Sequence, residues 1–328
     1  MHLPPTINSA GPVPLVLAFH GAGGQGPSMA GLTGFNALAD RQGFAVAYPD
    51  GIDRHWNDGR PGNRPGPGTQ YDDVAFVRAL IDHLATTLPI DRARVYATGM
   101  SNGAIFSQRL ACDLSDQIAA IGAVAGSLAE ALAPDCAPGR PIPVLMIMGE
   151  ADPFVPWAGG PVLGLGYGPV LSVADTIAHW VGMNNCGATP GITQEPDRAP
   201  NDGTTVRRES YTNCRDGADV TLYAVVNGGH AWPGGVQYLP ERTIGKTSRD
   251  IDATTTIWNF FAAHPRRPTP LNPLLISRVP ACGWRSPPQR RGGVCLRQPP
   301  TPPSPPPPVS SLPLSQTVGE GCHPQAAG

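Results

Sequence analysis

The 328-residue sequence contains no run of about 18 apolar residues, so no membrane-spanning helix is expected. Its opening Met1-His2-Leu3-Pro4-Pro5 has neither a basic start nor an apolar core, so no signal peptide is read there. No internal repeat is visible. None of the seven cysteines falls in C-x-x-C spacing, which argues against a zinc site. Four of them, Cys112, Cys136, Cys186 and Cys214, lie in the main body. An even number fits two disulfides formed in an oxidising compartment; four buried thiols are the alternative. Cys282, Cys295 and Cys322 are an odd remainder and suggest no framework.

Charge is unevenly spread. The formal net charge is −2, yet from Pro265 onward there are seven arginines, no lysine and one acid, Glu320. The preceding body therefore holds 16 basic against 24 acidic residues, about −8. A body this acidic suits no phosphate backbone, and no nucleic-acid partner is expected. The segment from 265 also holds 17 of the 40 prolines, including Pro305–Pro308, and cannot bury enough apolar surface to offset its ordering entropy. The expected organisation is one catalytic domain over 1–264 and a disordered tail over 265–328. With 41% hydrophobic residues, a sizeable core is available.

What is present is a series of short apolar runs separated by helical patterns. Strands are read at Val13–Phe19, Phe44–Tyr48, Arg94–Thr98, Ala119–Val124, Pro143–Met148, Thr205–Tyr211 and Val220–Val226. Helices are read over 28–41, through Val74, Val77, Ile81 and Leu84 after Asp72-Asp73, and over Ala104–Leu114, Val170–Val181 and Ile251–Ala263. Long loops join some of them, one from His55 to Gly68. Buried strands alternating with helices predict an α/β fold with a mostly parallel sheet and helices on both faces. Functional residues then belong just past the carboxyl ends of strands.

Gly99-Met100-Ser101-Asn102-Gly103 spells G-x-S-x-G directly after one such strand. A serine hydroxyl is a weak nucleophile and must be exposed beside a base. A sharp strand-to-helix turn exposes it, and flanking glycines allow that turn. Alone, the pattern is weak in a chain with 40 glycines. Its partners are therefore decisive. His230 follows the strand Val220–Val226 inside Gly228-Gly229-His230-Ala231-Trp232-Pro233-Gly234, downstream of the serine. The other histidines lie in helical stretches (His83, His179), in the long loop (His55), before the serine (His20) or near the ends (His2, His264, His323). Asp152 follows Pro143–Met148 in Gly149-Glu150-Ala151-Asp152-Pro153, with Glu150 as its rival. Ser101, Asp152 and His230 thus stand in chain order as nucleophile, acid and base, each past a strand end. The amide of Asn102 and one from His20-Gly21-Ala22-Gly23-Gly24, that of Ala22, are the candidate oxyanion donors. That loop lacks a G-K-[ST] ending and is no nucleotide cradle. Trp56, Trp157 and Trp232 are candidate substrate-binding residues, an aromatic wall; core packing is the alternative. Chemistry of this kind needs no metal or organic cofactor.

With these residues in hand, the chain resembles the extracellular polyhydroxybutyrate depolymerase and feruloyl esterase group of α/β-hydrolases. The resemblance spans about residues 13–264. It rests on Leu15–Gly21, Tyr71-Asp72-Asp73-Val74-Ala75-Phe76, the serine motif, Ala151-Asp152-Pro153-Phe154-Val155-Pro156-Trp157 and Gly229–Gly234. It implies the same triad, a secreted enzyme, and esters of hydroxycinnamates, acetylated sugars or short polyesters as substrates. It also implies a signal peptide and one or two strands before Leu15; Met1–Pro5 reads as the end of such a strand. Met148-Gly149 replaces the group's usual H-G, and Asp58–Gly62 replaces paired cysteines. The expected activity is that of a serine carboxylic-ester hydrolase. An acyltransferase or peptidase on the same scaffold, or a non-catalytic binding protein, is the alternative.

Overall fold

The computed structural model describes residues 1–9, 11–61, 71–162 and 168–266. The proline-rich tail expected from 265 lies outside these residues from 267 onward, as does most of the 55–68 loop beyond Pro61.

Strand β1 (Val13–Phe19) leads into helices α1 (Gly26–Thr33) and α2 (Phe35–Gln42), then β2 (Ala45–Ala47). After the loop come α3 (Asp73–Thr87), β3 (Ile90–Met100), α4 (Asn102–Asp113), β4 (Ala120–Val124) and β5 (Val144–Gly149). The remainder is α5 (Val173–Met183), β6 (Gly191–Gln194), β7 (Thr205–Tyr211), β8 (Val220–Val226), α6 (Glu241–Ile244) and α7 (Ala253–Ala263). The strands form one sheet in the order β2-β1-β3-β4-β5-β8-β7-β6. All pairings from β2 to β8 are parallel; β7 and β6 add antiparallel at one edge.

Alternation along the strands explains the two-faced core. Leu15, Leu17 and Phe19 of β1 point to one side with Val95 and Ala97, and α3, α4 and α5 cover them through Ile81, Phe106 and Trp180. Val16 and Ala18 point to the other side with Tyr96, where α2 and α7 supply Phe35, Leu38, Ile257 and Phe261. A sheet buried on both faces must be apolar at every position, hence the continuous runs in the sequence.

Three differences from the sequence reading have local causes. The single helix read over 28–41 is two, because Gly34 sits at φ 65° and ends α1 while starting α2. The strand read from Arg94 starts at Ile90; its first residues carry Asp91, Arg92 and Arg94 beyond the buried part and hide the pattern. Strand β6 has no counterpart among the apolar runs of the sequence. All four of its residues are exposed, so it has no alternation to detect.

Disulfides join Cys112–Cys136 and Cys186–Cys214. The first ties the end of α4 to the short helical turn Ala133–Asp135. Closing a loop of this size contributes roughly 3.5 kcal/mol in the chain-entropy account. The second ties the end of α5 to the end of β7.

Near the amino terminus, His2 pairs antiparallel with Val46 through bonds of 2.8 and 3.0 Å, adding a bridge at the β2 edge. No helix among the described residues is long and apolar enough to cross a membrane.

Candidate active site

Ser101 is the single residue between β3 and α4. It sits at φ 56° and ψ −122°, a region that L residues avoid and that costs about 1–3 kcal/mol. The surroundings hold it there. Its amide donates to the Val124 carbonyl of β4 at 3.0 Å, and its carbonyl accepts from Ala104 and Ile105. Both motif glycines are forced by backbone contact. A Cβ on Gly99 would lie 2.4 Å from the Gly103 carbonyl oxygen, and one on Gly103 would lie 2.3 Å from that of Phe19. These obstacles are main chain and cannot rotate away. Gly103→Ala is expected to cost more than about 3 kcal/mol, beyond ordinary overpacking; urea unfolding measures it, and a wild-type midpoint would contradict this packing.

His230 and Asp152 form a bonded pair. Asp152 Oδ2 lies 2.7 Å from His230 Nδ1, with the aspartate side chain fully buried and that of the histidine 7% exposed. The other carboxylate oxygen accepts the amides of Phe154 (2.8 Å) and Val155 (2.9 Å), so the carboxylate is fixed at both ends. Glu150, the rival acid, pairs at 3.4 Å with Arg207 instead. The two loops carrying the pair are laced together. Ala151 donates to the Gly228 carbonyl at 2.9 Å, and a Cβ on Gly149 would lie 2.4 Å from the Gly229 carbonyl. Glycine at 149 is thus demanded by this approach. The His230 amide donates to Ile244, and Tyr238 donates its hydroxyl to the His230 carbonyl at 2.8 Å.

Ser101, His230 and Ala22 share the wall of one cavity of about 780 Å³. No hydrogen bond joins the Ser101 hydroxyl to His230; catalytic hydrogen bonds often tighten only with substrate in place. Gly21 approaches so closely that a Cβ there would lie 3.3 Å from that of Ser101. The His20–Gly24 loop is therefore beside the nucleophile candidate. The Asn102 amide is the first of α4 and has no acceptor within the helix.

His20 shapes that loop. Its Nε2 accepts the Gly51 amide at 3.0 Å, so Nδ1 carries the proton and donates to the Gly21 carbonyl at 2.8 Å. Burial, the largest influence, lowers its pKa below 6.5. The unfolded chain then takes up a proton at a pH where the fold does not. Stability is complete above about pH 6.5 and declines as the pH falls through it. Melting temperatures across pH 5–8 should show this decline, with a shallower slope in His20→Gln. An unaltered slope would exonerate His20.

The sequence reading missed a network behind the serine. The Asn102 side chain accepts the Trp56 amide (2.8 Å) and donates to the Trp56 carbonyl (3.0 Å) and to Asp58 (2.7 Å). Asp58 in turn holds Arg60 in a buried ion pair at 2.7 Å. Partners 44 and 46 residues away leave no local signature.

The aromatic wall is a correction. Trp56 is buried behind the site, stacked on Phe106 at 5.2 Å, with its indole N–H on the His20 carbonyl. Trp232 is buried on the opposite sheet face and donates to Thr254 at 3.0 Å. Trp157 is half-buried against the core. None of the three lines the cavity among the described residues. Apolar side chains do, including Met29, Leu32, Phe154, Val236 and Leu239. Among the described residues no group of three or more His, Cys, Asp or Glu side chains could hold a metal ion.

Comparison with known proteins adds the family. A family model described as "Esterase PHB depolymerase" matches residues 1–136, which include Ser101 but end before Asp152 and His230. NocK of Nocardia uniformis subsp. tsuyamanensis, which bears the name of an esterase, is 35% identical over 257 residues, 75% of this chain and 73% of that protein. Feruloyl esterase B of Piromyces equi is 30% identical over 66% of this chain, a match spanning only 39% of the fungal protein. Feruloyl esterase C of Emericella nidulans is 28% identical over 80% of this chain and 83% of its own length. With its sheet, its serine turn and these relatives, the chain belongs to the polyhydroxybutyrate depolymerase and feruloyl esterase-like group of the α/β-hydrolase superfamily, as a carboxylic ester hydrolase.

Proposed function

We propose that ester hydrolysis runs through Ser101, His230 and Asp152. The observation that carries this is a serine fixed at positive φ on the wall of the same cavity as a histidine bonded to a buried aspartate. Ser101 Oγ attacks the ester carbonyl carbon while His230 Nε2 takes its proton. The amides of Ala22 and Asn102 hold the developing oxyanion. As the carbonyl re-forms, the C–O bond to the alcohol breaks and His230 returns the proton to it. Water then attacks the acyl-enzyme, its proton passing to His230, and the acid leaves with Ser101 restored. Asp152 keeps Nδ1 protonated and stabilises the imidazolium. No step calls for a metal or organic cofactor.

A fluorophosphonate probe tests this directly. One equivalent should attach to Ser101, as read by peptide mass spectrometry. Labelling elsewhere, or none on the folded protein, rejects the triad and revives a binding protein.

Two acyl classes come from the relatives, hydroxycinnamoyl and hydroxybutyryl. The described cavity lining is mainly apolar, aliphatic at Met29, Leu32, Val236 and Leu239 and aromatic at Phe154 and Tyr238, and no described tryptophan is part of it, which favours the short aliphatic polyester of the two. Methyl ferulate against a hydroxybutyrate oligomer separates them. Acyl transfer on the same scaffold predicts mixed esters when an alcohol is added. Two disulfides together with the resemblance support an extracellular location. We also read residues 1–264 as the catalytic domain and the remainder as a tail outside it.

A further inference from the structure

The cavity beside Ser101 carries more information than its reaction. Among its described lining residues there is no Asp, Glu, Lys or Arg. Its side-chain donors outside the candidate triad are already engaged. His20 is held between Gly21 and Gly51, Ser28 donates to Gln25 at 2.6 Å, and Tyr238 donates to His230. A phenol or sugar hydroxyl buried here meets no free side-chain donor among these described residues and at most the Tyr238 oxygen as a side-chain acceptor, so most of its water bonds would go unreplaced. A saturated chain would lose nothing.

The volume, about 780 Å³, falls in the range that encloses drug-sized ligands, well above the needs of an acetyl group. One wall is unfinished. Val236 is 57% exposed and Leu239 45%, so both present apolar surface at the cavity that the described residues do not cover. This wall is nevertheless held in place. Gln237 donates to the Leu239 and Gly245 carbonyls at 2.8 and 3.0 Å and accepts the Thr247 amide at 3.1 Å.

We propose that the site selects esters of unbranched aliphatic acids of medium length, about six to ten carbons, with Val236 and Leu239 as the wall that reads chain length. This rests on the assignment of Ser101 as nucleophile. Each methylene laid against the wall leaves water, and its binding is carried into the transition state.

The test is a p-nitrophenyl ester series from acetate to dodecanoate, with methyl octanoate against methyl ferulate. kcat/KM should rise about fourfold for each methylene covered, putting octanoate about 10² or more above acetate, then fall once the chain outgrows the cavity. Fastest turnover of acetate or butyrate, or ferulate ahead of octanoate, overturns the proposal. In a Val236→Ser, Leu239→Ser double variant the octanoate-to-acetate ratio should drop by about tenfold. An unchanged ratio rejects the wall. Should that variant fail to fold, Leu239→Phe serves instead and should move the optimum to shorter chains; an unmoved optimum rejects the wall equally. Fluorophosphonate labelling separates the two readings. Labelled Ser101 without a chain-length slope defeats this inference alone, whereas an unlabelled serine defeats the triad.

Discussion

Ser101→Ala should lower kcat for any turned-over ester by about 10⁶, the scale of nucleophile removal in triads that act as a unit. Circular dichroism and melting should stay near wild type. Alanine keeps the Cβ, and the backbone bonds from Val124, Ala104 and Ile105 do not involve the hydroxyl. Substrate binding should also survive, because the rest of the cavity wall is untouched. KM measured on the residual activity, or inhibition by a product acid, would show this. The decisive measurement is hydrolysis by protein free of wild-type contamination. Near-full activity would mean that another group performs the attack.

Asp152→Asn should cost about 10⁴ in kcat while leaving the fold intact, the size of effect seen when such an aspartate is amidated in another triad. The structure supplies the reason. One Asp152 oxygen is taken by the amides of Phe154 and Val155, and both are donors. Asparagine must therefore keep its carbonyl there and turn its NH₂ toward His230 Nδ1. That nitrogen then accepts, so the ring proton moves to Nε2, where the base should be. The wrong tautomer faces the serine. Asp152→Glu is the useful companion, since it keeps the charge but not the reach. kcat, read with pre-steady-state acylation, distinguishes loss of the base from loss of binding. A decrease of less than tenfold in the asparagine variant would show that the pair is structural.

Much of this site was legible because its determinants are local. The pattern at 99–103 names a turn whose glycines are demanded by contacts within a few residues and by the neighbouring β1. Asp152 and His230 are candidates by the rule that functional groups follow the ends of parallel strands, and the structure bonds them to each other. The sheet was legible for the same reason, since each central strand is buried on both faces and reads as an unbroken apolar run. What escaped was non-local or unpatterned. Trp56 and Trp232 are near the site in the chain, but the loops that carry them turn both side chains into the core. The cavity lining comes instead from α1 and from 236–244, where Val236 and Leu239 lie among Gly, Pro and Gln with no periodicity to reveal a shared face. The exposed edge β6 offered no contrast between inside and outside. The bond from Asn102 to Trp56 links segments that nothing in the sequence aligns.

That last bond has a consequence for altering the enzyme. Position 102 serves two masters: its amide is the proposed oxyanion donor, and its side chain staples the 56–58 loop through three hydrogen bonds. Remodelling that loop to admit a different alcohol should therefore perturb the proposed oxyanion contact even though Trp56 and Asp58 do not line the cavity. Directed evolution starting from loop variants should recover activity chiefly through second changes that re-anchor Asn102. The proposed acyl wall at Val236 and Leu239 shares no such joint with Asn102 and can be redesigned on its own.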